Sequence, residues 1–390
     1  MHSTHNFDDI RPYRNDELAT VLARLLDDPD FNAMLKKLQT GEEALVQMKA
    51  AIKATKSIED FQSNLVVPVI NQILASSSNG LTMNGLDQLD KNQRYLYISN
   101  HRDIILDSAL LNVKMHASGF SPTEIAIGSN LLIFPWINDL VRINRSFIVN
   151  RNIPVKQMLT SSKILSQYIR HMITNGNDSI WIAQREGRAK DGNDITQPGL
   201  LKMLNMSNAT GFFQGFEELK IVPMAISYEI EPCGNEKVAE LKKRQNDPNF
   251  QKTEKDDLLS MVSGLSNQKG RIHIQFGNQI DENVLHCIAN EPGMNERLRL
   301  LAEHIDKEIY KNYRLFPNNY IAYDLYFKTA KYANRYSQEE KDSFVELTHK
   351  RLQLVNEDIE DSMVLWLKMY ATPVCNFENC VSSEISATAI

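Results

Sequence analysis

Tyr95-Leu96-Tyr97-Ile98-Ser99 runs directly into Asn100-His101-Arg102-Asp103-Ile104-Ile105-Leu106-Asp107. The first five residues have the length and apolar character of a buried strand. The next eight place a histidine and two aspartates immediately past its end. A strand that stops in a polar loop is how an α/β protein presents a reactive side chain in a cleft.

Working outward, short apolar runs recur at 124–128, 146–149, 179–183, 220–228 and 271–276, and a long helical pattern fills 155–174. Strands alternating with helices predict an α/β fold: a mixed, mostly parallel sheet flanked by helices. Residues 76–281 form this domain. Between its last two strands, residues 233–270 are polar and charged, and read as a helical or loop insertion. The flanks, 1–75 and 282–390, are helical extensions. At the front, Leu18, Val21, Leu22, Leu25 and Leu26 share one helix face, and Phe31, Met34, Leu35 and Leu38 repeat the pattern after Asp28-Pro29. Such stripes are expected to pack on the rest of the protein; Gly41 is read as the end of the second helix. The tail from Ala371 to Ile390, rich in Ser, Thr and Asn, reads as loose.

The 390 residues are 42% hydrophobic and 24% charged, ordinary for a globular chain, with net charge −6. That balance speaks against a polybasic surface for nucleic acid. No run approaches the roughly 20 apolar residues that span a bilayer, and the N-terminus lacks a basic and apolar leader. The expected setting is therefore cytoplasmic, with at most a peripheral contact at the inner face of the membrane. Cys233, Cys287, Cys375 and Cys380 read as free thiols, and no metal site is indicated.

Histidine is the side chain best tuned to accept a proton near neutral pH. A carboxylate at its other ring nitrogen fixes the tautomer and stabilises the imidazolium. His101 is the candidate base. Asp107 is its expected partner, with Asp103 as the alternative; Asp103 can instead cap the following helix. His101-Arg102-Asp103 is also a kinase catalytic-loop tripeptide, but position 108 is Ser108, and neither an Asp-Phe-Gly nor an upstream glycine-rich loop is present.

Four blocks follow one another: Asn100 to Asp107, then Ser146-Phe147-Ile148-Val149-Asn150-Arg151, then Glu186-Gly187-Arg188, then Ile221-Val222-Pro223-Met224-Ala225-Ile226-Ser227-Tyr228. In this order the set resembles the glycerolipid acyltransferases, which move a fatty acyl chain onto a phosphorylated glycerol. The resemblance covers roughly residues 80 to 280. It implies that His101 is the general base, oriented by Asp107, and that Arg151 and Arg188 bind the acceptor phosphate. Gly187 would let the backbone approach the ligand, and Glu186 would hold a glycerol hydroxyl or orient the arginines. Arg142 and Arg145 add local positive charge. The chain departs from the family in two places. Five residues, not four, separate histidine from aspartate, so Leu106 stands where the family carboxylate would be. The third block lacks the residue usual between Gly and Arg. Pro223 is expected at the start or edge of a strand.

The expected activity is O-acyl transfer from an acyl thioester, coenzyme A or acyl carrier protein, to glycerol 3-phosphate, with no cofactor and no covalent acyl-enzyme. A lysophosphatidate or other lysolipid acceptor is the enzymatic alternative. A non-catalytic lipid- or carrier-binding protein that kept the fold is the other.

Overall fold

The structure, a computed structural model, describes residues 7–38, 41–355 and 358–388. Five helices come first: α1 (Leu18–Asp27), α2 (Pro29–Leu38), α3 (Glu42–Ala54), α4 (Ile58–Phe61) and α5 (Val67–Ser77). Leu18, Val21, Leu22 and Leu25 are buried with Phe31, Leu35 and Ile143, so the front stripes pack against protein. Gly41 does not close α2. It stands immediately before α3, at φ +136°, where a side chain would be strained.

The α/β region alternates β1 (Leu81–Asn84), β2 (Leu96–Ser99), α6 (Leu106–Ala117), β3 (Glu124–Gly128), α7 (Pro135–Ile143), β4 (Ser146–Val149), α8 (Val155–Asn175), β5 (Ile180–Ala183), α9 (Pro198–Asn205), α10 (Phe212–Glu217) and β6 (Ile221–Tyr228). The insertion folds as α11 (Gly234–Asn246) and α12 (Glu254–Ser266), and β7 (Ile272–Phe276) completes the sheet. The strand order is β1-β7-β6-β2-β5-β3-β4, and every neighbouring pair is parallel except β6 with β7. The fold is thus the mixed, mostly parallel α/β sheet that the strand pattern implied.

Alternate residues of each strand feed two cores. Leu96, Ile98, Ile180, Ile182 and Ile221 join α8 to α10 on one face. Tyr97, Trp181, Val222, Met224 and Ile274 meet α6 on the other. Strands buried on both sides read as unbroken apolar runs, which is why these were visible in the sequence.

Pro223 lies inside the sheet, third in β6 and in register with Ile98 of β2. In a strand a residue's N–H and C=O point to the same neighbour. The Pro223 carbonyl accepts from Gly277, just past the end of β7. Its missing donor therefore faces a place where the β7 ladder, which stops at Met224 and Phe276, no longer asks for one.

The C-terminal extension is helical: α13 (Glu282–Ala289), α14 (Met294–Lys311), α15 (Pro317–Phe327), α16 (Gln338–Leu352) and α17 (Ile359–Thr388). The loose tail expected from Ala371 is instead the second half of α17, up to Thr388; residues 389–390 lie outside the described residues. Trp366, Tyr370 and Val374 are buried at i, i+4 spacing, Cys380 is buried further on, and α17 packs along α14 and α15. That apolar stripe outweighs the polar composition.

Candidate active site at the carboxyl edge of the sheet

Parallel strands deliver their following loops to one edge, and there the quoted motifs assemble. His101 follows β2, Arg151 follows β4, and Glu186 with Gly187 follow β5. His101 Nδ1 lies 2.8 Å from Asp107 Oδ2. The same oxygen accepts from the amides of Arg102 at 2.6 Å and Asp103 at 3.0 Å, while Oδ1 accepts from the Tyr228 hydroxyl at 2.9 Å. The extra residue between histidine and aspartate is taken up here. The loop curls over the carboxylate, and Leu106 turns away into the core beneath α6.

The two aspartates are divided by their surroundings. Asp103 Oδ1 accepts from the amides of Ile105 and Leu106 and so caps α6. Burial and the neighbouring charge of Asp107 push Asp103 upward. Burial would raise Asp107 too, but hydrogen bonds from His101 and the loop amides bring it below the ordinary carboxylate range. An ionised Asp107 draws the imidazole proton to Nδ1 and leaves Nε2 as an acceptor. The ring stands edge-on to Trp181, with centroids 5.6 Å apart, and its side chain keeps 14% of its surface exposed. An imidazole so held can take a proton from a bound hydroxyl.

β4 is three strand spacings from β2, about 14 Å. Arg151 closes part of that gap by leaning across β3. Its Cγ passes 3.5 Å from where a β-carbon on Gly128 would sit, and its Nη1 reaches Glu186 Oε2 at 2.9 Å. The Arg151 amide is fixed by Ser129 Oγ. Gly187, at φ +67°, gives the β5 loop a left-handed turn suited to glycine.

Arg188 is placed differently from Arg151. It is buried among the carboxyl groups of Asp103, Glu231 and Glu240 and the thiol of Cys233, and among the described residues its Nη1 is enclosed without a hydrogen-bond partner. Arg142 and Arg145 precede β4 and so lie at the opposite edge of the sheet. Arg142 bonds the carbonyls of Asp8 and Arg11, and Arg145 pairs with Asp178.

The comparisons with known proteins bear on this edge. Residues 80–227 match the sequence model of the family described as Acyltransferase, a stretch that takes in the first three blocks whole and all but Tyr228 of the fourth. That stretch is similar to an acyltransferase domain. The match supports acyl transfer as the chemistry of this edge. Among solved structures, the crystal structure of the 1-acyl-sn-glycerophosphate acyltransferase PlsC from Thermotoga maritima matches over 76% of this chain and 92% of that one. The identity is 10% and the TM-score 0.38. No curated protein matches the chain.

Several contacts at this edge escaped the sequence reading. Asp194 Oδ2 accepts from Arg102 at 2.6 Å, Tyr313 at 2.6 Å and Asn100 at 3.2 Å, joining the His101 loop to α14's far end. Asn100 also bonds both the amide and the carbonyl of Ile226, tying β2 to β6. Lys190, beside Glu240 at 3.5 Å, is pushed down to about 8 by burial. These contacts join residues 50 to 126 positions apart, and no short spacing announces them. Asn100 and Arg102 in the first block and Tyr228 at the end of the fourth lay in plain view, but their partners did not. The apolar groove of about 400 Å³ beside α5 and α6, lined by Leu74, Leu81 and Val113, includes none of the site residues.

Proposed function

We propose that the protein transfers a fatty acyl chain from an acyl thioester to the free hydroxyl of glycerol 3-phosphate, with His101 as general base. The observation that carries this reading is the imidazole held 2.8 Å from a fully buried carboxylate, with its other nitrogen left as acceptor. The acceptor hydroxyl gives its proton to His101 Nε2 as its oxygen attacks the thioester carbonyl. The C–S bond of the tetrahedral intermediate then breaks, and the departing thiolate takes that proton back from the imidazolium. Asp107 holds the ring and the transient charge throughout.

Arg151 binds the acceptor phosphate through its planar fork. Its pairing with the exposed Glu186 keeps it extended toward the β5 loop. Once phosphate takes the guanidinium, Glu186 is free to accept from the glycerol. Arg188, enclosed among carboxylates, supplies positive potential from below rather than a direct clamp, a change from the role the resemblance implied.

The donor is coenzyme A or an acyl carrier protein. The test is turnover by the purified protein of a labelled acyl thioester with glycerol 3-phosphate and, separately, with 1-acylglycerol 3-phosphate. Transfer to the first is expected. Transfer only to the second moves the assignment to the lysolipid enzyme, and transfer to neither with thioester binding intact removes the enzymatic reading.

A further inference from the structure

Two helices at the carboxyl edge wear their apolar residues on the outside. In α12 the buried positions are Ser260 and Gly264, whereas Leu258, Leu259 and Val262 face solvent. In α8 the first two turns expose Val155, Met158 and Leu159; Val155 is 82% and Leu159 70% exposed. The spacing i, i+3, i+4 is that of a helix stripe, but among the described residues this stripe has no partner. Single exposed apolar residues are commonplace; stripes on two helices around one site are not.

The two stripes border the same edge. α8 begins four residues past Arg151, on the loop that leaves β4. α12 lies against Ser129–Leu131, the turn whose Ser129 Oγ holds the Arg151 amide, and its Gly264 abuts the Asp103 carboxylate. Phe134, three residues past that turn, is stacked on Trp136 and partly exposed.

Charge selects the occupant. Across its 21 residues α8 carries Lys156, Lys163 and Arg170 and not one Asp or Glu, in a chain of net charge −6. Lys156 and Lys163 are exposed, and among the described residues neither is ion-paired. The acids of α12 are mostly spent: Asp256 pairs with Lys243 and Asp257 with Lys252, while Glu254 is offset by the adjacent exposed Lys255. A second copy of this surface would set lysine against lysine. An uncharged apolar partner would leave the lysines unanswered.

We propose that the first two turns of α8 and the outer face of α12 seat the protein on an anionic lipid surface, with Val155, Met158, Leu159, Leu259 and Val262 entering the interface and Lys156 and Lys163 meeting phosphate headgroups. The surface deepens the acyl-transfer reading and rests on it in one respect: docking there would let an acylated product leave directly into lipid. Binding itself does not depend on turnover.

The test is flotation of the full-length protein with vesicles of equal parts phosphatidylglycerol and phosphatidylcholine, against phosphatidylcholine alone. Wild type is expected to float with the first, less so at high salt. Leu159→Glu, Leu259→Glu and the pair Lys156→Glu with Lys163→Glu should each lower that binding roughly tenfold or more. All are surface changes, so thermal unfolding should stay where it is in wild type, and so should any turnover of a short-chain, water-soluble acyl thioester. Equal flotation with neutral vesicles, flotation with neither, or variants that float like wild type would overturn the proposal. So would a wild-type dimer in light scattering that Leu159→Glu dissolves, because the stripe would then be a contact between copies. Charge-dependent flotation without any acyl transfer would leave the docking surface standing and remove the enzymatic reading.

Discussion

Tyr228→Phe deletes one oxygen, and that oxygen holds half of the Asp107 carboxylate. Oδ2 has three donors, but Oδ1 has the Tyr228 hydroxyl as its hydrogen-bond partner, at 2.9 Å in a fully buried setting. A hydrogen bond to a charged group contributes about 1.5–3 kcal/mol. Stability should fall by up to that amount, and phenylalanine fills the tyrosine's space without leaving an orphaned hydroxyl of its own. Only the part of the loss that reaches the transition state enters the rate. A full 3 kcal/mol corresponds to roughly a hundredfold in kcat, and half of it to roughly tenfold. The expected result is a kcat reduced about tenfold with an unchanged KM for the acyl thioester, since the hydroxyl touches Asp107 rather than substrate. A double-mutant cycle with Asp107→Asn separates positioning from general damage. Once the carboxylate is gone, Tyr228→Phe should cost little further activity. Steady-state release of free thiol from an acyl thioester measures all four proteins. Independent, multiplicative losses across the cycle, or wild-type kcat in Tyr228→Phe, would refute the chain Tyr228–Asp107–His101.

Three further outcomes are expected. Arg151→Gln should raise KM for the phosphorylated acceptor while leaving acyl-thioester affinity alone; equal losses of both, in steady-state kinetics and direct binding, would point to fold damage. Gly264→Ala would drive a β-carbon into the Asp103 carboxylate, so it should lower stability by about 1–3 kcal/mol in urea unfolding, while an unchanged midpoint would mean α12 moves freely. Glu124, buried under the Tyr168 hydroxyl, is pushed from 4.5 up to about 7, chiefly by burial. The folded state therefore holds this proton more tightly than the unfolded one, and stability drains away as pH rises from 4.5 through 7. Glu124→Gln removes that dependence, so at pH 8 it should be more stable than wild type by up to about 3 kcal/mol, with the advantage vanishing near pH 4.5; urea midpoints across that range are the measurement.

The strands were legible because burial on both faces leaves no polar alternation to confuse them; β2 and β5 read as plain apolar runs. β1 was not, because Leu81-Thr82-Met83-Asn84 is a half-exposed edge with only two apolar residues. Tail composition misled where packing decided, as Tyr370 and Val374 show. At the site, the His101 motif announced its chemistry through residue type and position. Its partner could not be fixed by counting, since Asp107 reaches the ring only because the loop amides of Arg102 and Asp103 fold onto the same oxygen. The separation of Arg188 from Arg151 was equally hidden. It depends on α11 and Cys233 closing over the loop after β5, contacts from residues fifty positions away. Asp194 and Tyr313 illustrate the same limit, since each acts through a partner no local pattern names.

The central claim is that one imidazole takes the acceptor's proton, and single-turnover acyl transfer by His101→Ala tests it most directly. Transfer should fall by roughly 10²–10⁴-fold, with thioester binding and the unfolding midpoint unchanged. Transfer at the wild-type rate in that variant would contradict the account, whatever the fate of the arginines.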